Sequence, residues 1–347
     1  MKRAALLAAV LLAGCAHIEP PPGGPEDKDP PKLVATRPDT MARVPAFRDP
    51  VVLAFDERIS EQGLRDAVLV SPRTSPLDVE HRGDELRIGL RRGWEAGRIY
   101  QVTLLPGIQD LFNNRLTAPV RLVFSTGPAI PDTRLTGTVL DRLTGNPERD
   151  VRVEAIHQPD SLVYATVTDS AGAFTFAQVP EGAYRVRAYR DVGGNRTLDP
   201  FEARDTARTT LAAGRGMTVR LRVLQPDTTA PKVASAQMAD SLVEVRFDDH
   251  LDPAQPLTPE RVTLTLPDGT VLPVAEVRIG ADAGRAAAGD TARAERLPSQ
   301  SLFLRPARPL PPGTEVRIRV RDVWNLHGLV GGGETTLRTL AAPPPRP

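Results

Sequence analysis

The chain has 347 residues, 40% hydrophobic and 25% charged, which excludes collagen, coiled coil and wholesale disorder. Its 44 Lys and Arg against 43 Asp and Glu leave a net charge of +1, without the basic surplus that a nucleic-acid partner would demand. Proline, at 35 residues, is about twice its usual ~5% share, so turns and sheet edges are expected in place of long helices.

The chain opens MKRAALLAAVLLAGC. Lys2 and Arg3 form a positive head, and Ala4 to Ala13 an apolar stretch too short to span a bilayer. Residues 1–14 therefore read as a signal peptide. The ending Leu12-Ala13-Gly14-Cys15 resembles the lipobox of bacterial lipoproteins. That resemblance implies cleavage before Cys15, lipidation of its sulfur and acylation of the new amino group. An ordinary signal peptide with a chance cysteine is the alternative. Cys15 is the only cysteine, so the body has no disulfide and no thiolate metal site. Several acyl chains would hold the body to a membrane where one chain is marginal. Ala16, in place of Asp, implies an outer-membrane destination within that family, on either its periplasmic or its surface side. Residues 15–31 are rich in proline, glycine and charge and read as a flexible spacer, partly extended.

From Lys32 the pattern becomes short alternating runs: Val51, Leu53 and Phe55; Leu86, Ile88 and Leu90; Val120, Leu122 and Phe124. Period two means half-buried strands. Regular short strands with turn signals predict β-sandwiches.

Two stretches repeat. Pro30-Pro31-Lys32-Leu33-Val34-Ala35 matches Ala230-Pro231-Lys232-Val233-Ala234, and each leads to a similar strand, VVLAFDERIS (51–60) and VEVRFDDHLD (243–252). Glycine-introduced strands follow, GRIYQVTL (97–104) and GTEVRIRV (313–320), then Asp-containing turns, 107–116 and 320–329. This pairing sets Asp110 and Asn113 against Asp322 and Asn325, and Phe112 against Trp324. It reads both aromatics as packing residues and both Asp/Asn sets as turn formers. Trp94 likewise stands at a packing position, so exposed aromatic platforms for sugar are disfavoured. An insertion near 280–299, rich in Ala, Gly and Arg, is expected to be a disordered hairpin tip. On the PPKLV, LAFDERI, Gly97/Tyr100/Val102 and Asp110–Asn114 motifs, 32–127 resembles the bacterial Ig-like domain first described in S-layer proteins. Residues 229–342 resemble it less closely, with Val316 in place of the tyrosine. Residues 343–347 form a tail.

Between the repeats, 133–224 differs. Gly137, Val139, Gly145, Pro147, Thr168, Asp169, Gly172, Phe174, Phe176, Pro180, Gly182 and Tyr184 resemble the carboxypeptidase-regulatory-like, transthyretin-like sandwich. That domain has no peptidase chemistry of its own. Within it, Asp191, Asn195, Thr197, Asp199 and Glu202 fall at positions 1, 5, 7, 9 and 12 of a twelve-residue stretch. This is the spacing by which a loop wraps calcium. Gly193 at position 3 and Arg196 at position 6 depart from it. The other reading is an acidic surface hairpin.

Among the five histidines no two lie within eight residues, and no nucleophile elbow, P-loop or dinucleotide fingerprint occurs. His250 beside Asp248 and Asp249 reads as a solvated strand end. The sequence as a whole predicts an all-β protein of three tandem sandwiches behind a lipid anchor. Its expected role is non-enzymatic, a structural or interaction module in the envelope with a protein or polysaccharide partner and no certain cofactor. The alternative is a calcium-assisted polysaccharide or ligand binder. The weakest is a hydrolase with a cryptic site.

Overall fold

A computed structural model describes residues 27–280 and 297–340. The signal peptide, Cys15, most of the spacer, residues 281–296 of the insertion and the tail lie outside the described residues. The fold is almost wholly β, in three sandwiches with separate hydrophobic cores. The single α element among the described residues is one turn. Among the described residues no helix is long and apolar enough to cross a membrane.

The first sandwich contains β1 (Leu33–Arg37), β2 (Ala42–Arg43), β3 (Val51–Phe55), α1 (Leu64–Ala67), β4 (Val68–Ser71), β5 (Leu77–Arg82), β6 (Glu85–Leu90), β7 (Ile99–Leu104) and β8 (Val120–Ser125). One sheet has the order β1-β3-β6-β5, the other β2-β8-β7-β4. Alternation decides which face is inside: Val51, Leu53 and Phe55 are buried while Val52 and Ala54 are half-buried. Trp94 belongs to this core, edge-on to Tyr100 (4.9 Å) and Phe124 (5.1 Å), with its indole N–H donating to the Asp49 carbonyl.

The second sandwich contains β9 (Arg134–Asp141), β10 (Arg152–His157), β11 (Val163–Val167), β12 (Ala173–Ala177), β13 (Gly182–Tyr189), β14 (Arg204–Leu211) and β15 (Gly216–Val223). Its sheets are β11-β10-β13-β14 and β12-β9-β15, with β15 parallel to β9. Gly137 is required here: a Cβ on it would collide with the Val219 carbonyl and the Phe174 ring.

The third sandwich contains β16 (Val233–Ala239), β17 (Leu242–Leu251), β18 (Val262–Thr265), β19 (Val271–Leu272), β20 (Val274–Ile279), β21 (Ser299–Pro306), β22 (Glu315–Trp324) and β23 (Val330–Arg338). Its order β16-β17-β21-β20 repeats β1-β3-β6-β5, and β18-β22-β23 repeats β4-β7-β8. The bonds repeat too. Lys32 N–H donates to Asp56 Oδ1 and Lys232 N–H to Asp248 Oδ1, both at 2.7 Å. Gly97 and Gly313 both have positive φ, 73° and 66°.

At the turns the structure corrects the sequence alignment by three residues. Asp110 corresponds to Asn325, not to Asp322. Asp110 N–H donates to Asn114 O and Asn325 N–H to Leu329 O. Asp110 bridges Ile59, and Asn325 bridges Leu251. Phe112 therefore matches His327. It is 66% exposed, so it is not the packing residue expected. The cause is a register shift in β22, with Asp322 at φ 55°, which displaces the sequence landmarks from the structural ones.

Candidate functional site

The 191–202 loop joins β13 to β14. Within it, side-chain atoms of Asp191, Asn195, Asp199 and Glu202 bond one another and the loop backbone, and Thr197 joins through its backbone N–H. Glu202 is buried, and its two oxygens accept from Val192 N (2.9 Å) and Asp199 N (3.0 Å). Asp191 Oδ2 accepts from Arg196 N (2.8 Å). Asn195 Oδ1 accepts from Thr197 N, while its amide Nδ2 donates to Asp199 Oδ2 (2.9 Å). A calcium shell needs oxygens converging at about 2.3–2.6 Å from one point. Among the described residues three carboxylates converge within 4.8 Å of one another only at Asp27, Glu57 and Asp110, far from this loop in sequence. In this arrangement the loop's own amides hold oxygens of Glu202, Asp191 and Asn195. Within it Asp191 Oδ1 is buried and has no hydrogen-bond partner.

Arg196, the residue that broke the calcium pattern, explains the loop. It takes the positive-φ position of the turn (61°). Its guanidinium leaves the second sandwich and enters the first. Nη2 donates to the carbonyls of Arg65 and Asp66, both at 2.9 Å, and Nη1 to that of Val68 (3.2 Å). Carbonyls at the end of a helical turn have no partner within the turn, and a cation there is favoured. The fixed fork of arginine suits several acceptors at once.

The same two sandwiches meet along β4, β7 and β8. Ser71 Oγ accepts from Ala165 N (2.9 Å), and Gln101 Nε2 donates to Ala177 O (2.5 Å). Arg121 donates to Thr175 O (3.2 Å), and Arg98 pairs with Asp160 (3.3 Å). Every residue of β7 is buried, so both faces of that strand are covered. Burial, with Arg134 nearby, lowers the Arg121 pKa from its ordinary value.

Ala165 is the ladder partner of Glu154, which lies beside this seam. Glu154 is 3% exposed. It accepts from Arg152 (2.9 Å), Arg187 (2.7 Å) and the Tyr189 hydroxyl (3.0 Å). Burial pushes its carboxyl up, but the two guanidiniums outweigh that and hold it below the usual carboxylate range. A buried charge so surrounded is fully compensated.

The junction of the second and third sandwiches is built differently. A cleft of about 420 Å³ lies there, lined mainly by Leu140, Gly145, Pro253, Leu297 and Pro298 with Arg142 and Asp252. His327 Nε2 lies 3.0 Å from the Gln225 carbonyl in the linker. His250 is half-buried at its strand end, and its backbone N–H donates to Asp249 Oδ1.

Comparison with known proteins fits these folds. Residues 27–126 match the bacterial Ig-like domain family, and residues 134–224 match the carboxypeptidase regulatory-like domain family. No curated protein matches the chain. Among solved structures it is similar to the N-terminal part of the bacterial S-layer protein SbsC, at 19% identity and a TM-score of 0.24, over 32% of this chain and 24% of that one. It is similar to the Bacillus anthracis TIE protein at 10% identity and a TM-score of 0.21, over 93% of this chain and 57% of that one. A third is a DUF3823 family protein from Bacteroides uniformis, at 15% identity and a TM-score of 0.20, over 61% of this chain and 100% of that one. The chain thus spans under two thirds of the first two.

Proposed function

We propose that this is a lipid-anchored, non-enzymatic envelope protein that acts as a structural or interaction module. Cys15 is the anchor, the outer membrane its destination, and a protein or polysaccharide of the envelope its partner. The observation that carries the reading is the seam between the first two sandwiches. Four of its polar side chains, Ser71, Gln101, Arg121 and Arg196, are directed to the neighbouring domain's main chain. Groups used this way fix two domains against each other, as a scaffold or a presenting arm requires. Cross-linking of intact cells that carry the tagged full-length protein tests the reading. A stoichiometric envelope partner, lost together with palmitate labelling in Cys15→Ser, is the expected result. Free release of the wild-type protein with no partner would overturn it.

A second reading, calcium-assisted ligand binding, is favoured by one observation, the buried and unpartnered Asp191 Oδ1. On that reading calcium raises the Tm of the full chain, and Asp199→Ala abolishes the rise. An unchanged Tm leaves the loop with its mechanical role alone.

A further inference from the structure

The turn at 110–114 holds two large apolar side chains outward. Leu111 is 60% exposed and Phe112 is 66% exposed. The turn is stiff. The buried Asp110 carboxylate accepts from Phe112 N (2.7 Å), Asn114 N (2.8 Å) and Asn114 Nδ2 (2.7 Å), and Asn113 sits at φ 72°. Single exposed apolar residues are ordinary on protein surfaces. The position of this pair sets it apart. Asn114 Nδ2 also donates to the backbone carbonyl of Asp27 (3.1 Å), where the described chain begins. Cys15 lies twelve residues before that point, a span of at most about 40 Å.

The equivalent turn of the third sandwich, remote from Cys15 in the chain, is unlike it. There His327 replaces Phe112, and its ring is bonded to the linker at Gln225. The loop that carries Arg196 exposes Val192 (75%) and Phe201 (59%). That loop is docked where β4 pairs with the end of β7, the end from which the 105–116 segment emerges.

We infer that Leu111 and Phe112 form a lipid-contacting tip that presses into the bilayer to which Cys15 ties the chain. The inference rests on the anchor reading above. Apolar side chains at a membrane interface enter the boundary between headgroups and acyl chains, and the anchor supplies the proximity. Asp27 and Glu57 lie beside Asp110 at the base of the turn, and Asp56 lies close enough to act on Glu57, which favours a zwitterionic surface over a strongly anionic one.

The test uses the full-length protein purified from membranes and reconstituted into phosphatidylethanolamine vesicles that contain dibrominated phosphatidylcholine. Phe112→Trp adds a reporter at the tip, and Val271→Trp, at a 59%-exposed site in the third sandwich, adds a control reporter. The wild-type emission of Trp94 and Trp324 is subtracted. Flotation with the vesicles, lost in Cys15→Ser, reads the anchor. The expected result is flotation together with loss of roughly half the emission of the tip reporter to bromine, and little loss from the control reporter. Flotation with equal quenching of both reporters overturns the tip and leaves the anchor standing. A wild-type protein that does not float removes the anchor, and the tip with it. Replacing much of the phosphatidylethanolamine by phosphatidylglycerol at low salt is expected to reduce quenching of the tip reporter, and an increase would contradict the assigned role of the acidic rim.

Discussion

Asp110 and Asn325 hold the same place in two copies of one fold. Each side-chain oxygen accepts from the amides two and four residues ahead, at 2.7 and 2.8 Å for Asp110 and at 3.0 and 2.9 Å for Asn325. They differ in the second atom. Asn325 Nδ2 donates to Asp249 Oδ2 (2.8 Å) and to the Thr229 carbonyl. Asp110 cannot donate, and it lies within 4.8 Å of the carboxylates of Glu57 and Asp27. In one copy the second atom donates to a carboxylate; in the other it accepts from Asn114 Nδ2 and lies among like charges.

Asn325→Asp puts a carboxylate against Asp249 in a buried position. A loss of about 2–3 kcal/mol at neutral pH is expected, since a donor becomes a repelled acceptor. Denaturant unfolding of the full chain should show it, with recovery of the charge penalty as pH falls from neutral towards about 4, where one carboxyl has taken a proton. A loss independent of pH would mean that the charge is not its cause.

Glu57 is the converse case. Burial, then Asp110, Asp27, Asp56 and Asp29, raise its pKa. The folded state therefore holds that proton more readily than the unfolded chain. Its contribution is favourable below the unfolded value near ~4.3 and is lost as pH rises through the folded value. Glu57→Gln should stabilise at pH 7, by no more than about 0.5 kcal/mol because solvent screens the site, and the gain should vanish in acid. Unfolding curves at neutral pH and at about pH 3.5, below the unfolded value, test the sign.

Arg196→Ala removes three bonds between domains. A loss of about 1.5–3 kcal/mol is expected, the range for hydrogen bonds to a charged group. Calorimetry should show the first two sandwiches melting further apart in the variant than in the wild type. Arg196→Lys should restore little, because an ammonium cannot fork across three carbonyls. Coincident melting in Arg196→Ala would show that the remaining seam suffices.

Glu154 titrates in the usual direction for a paired acid. Its folded pKa lies below the unfolded one, so its stabilisation is present above the unfolded value and is lost as pH falls through the folded value. Glu154→Gln leaves Arg152 and Arg187 without their counter-charge and should cost about 3–5 kcal/mol at pH 7. The gap from wild type should narrow in acid, and a gap that stays constant from neutral pH down to about pH 3 would refute the charge explanation.

The all-β class was legible because period-two alternation at Val51–Phe55 or Leu86–Leu90 reports one buried face directly. The paired landmarks Lys32/Lys232 and Gly97/Gly313 were legible for a related reason: each is a backbone requirement, and such requirements tie one residue to one position. The turn alignment failed because Asp322 resembles Asp110 in letter alone. A register shift inside β22 moved the structural equivalent to Asn325, and no local pattern marks such a shift. Phe112 was misplaced by the same slip. Arg196 was visible only as a fault in a calcium spacing, since its three partners lie some 130 residues earlier in the chain.

Strands, the three units and the turn glycines can be read along the chain, because they depend on neighbours a few residues apart. The burial of Gln101 against another domain, the closing of a seam by Arg196, and the exposure of Leu111 and Phe112 beside Asp27 emerge only in the folded molecule. These depend on which surfaces meet after folding, and burial and electrostatic compensation are properties of that contact rather than of any segment of the chain.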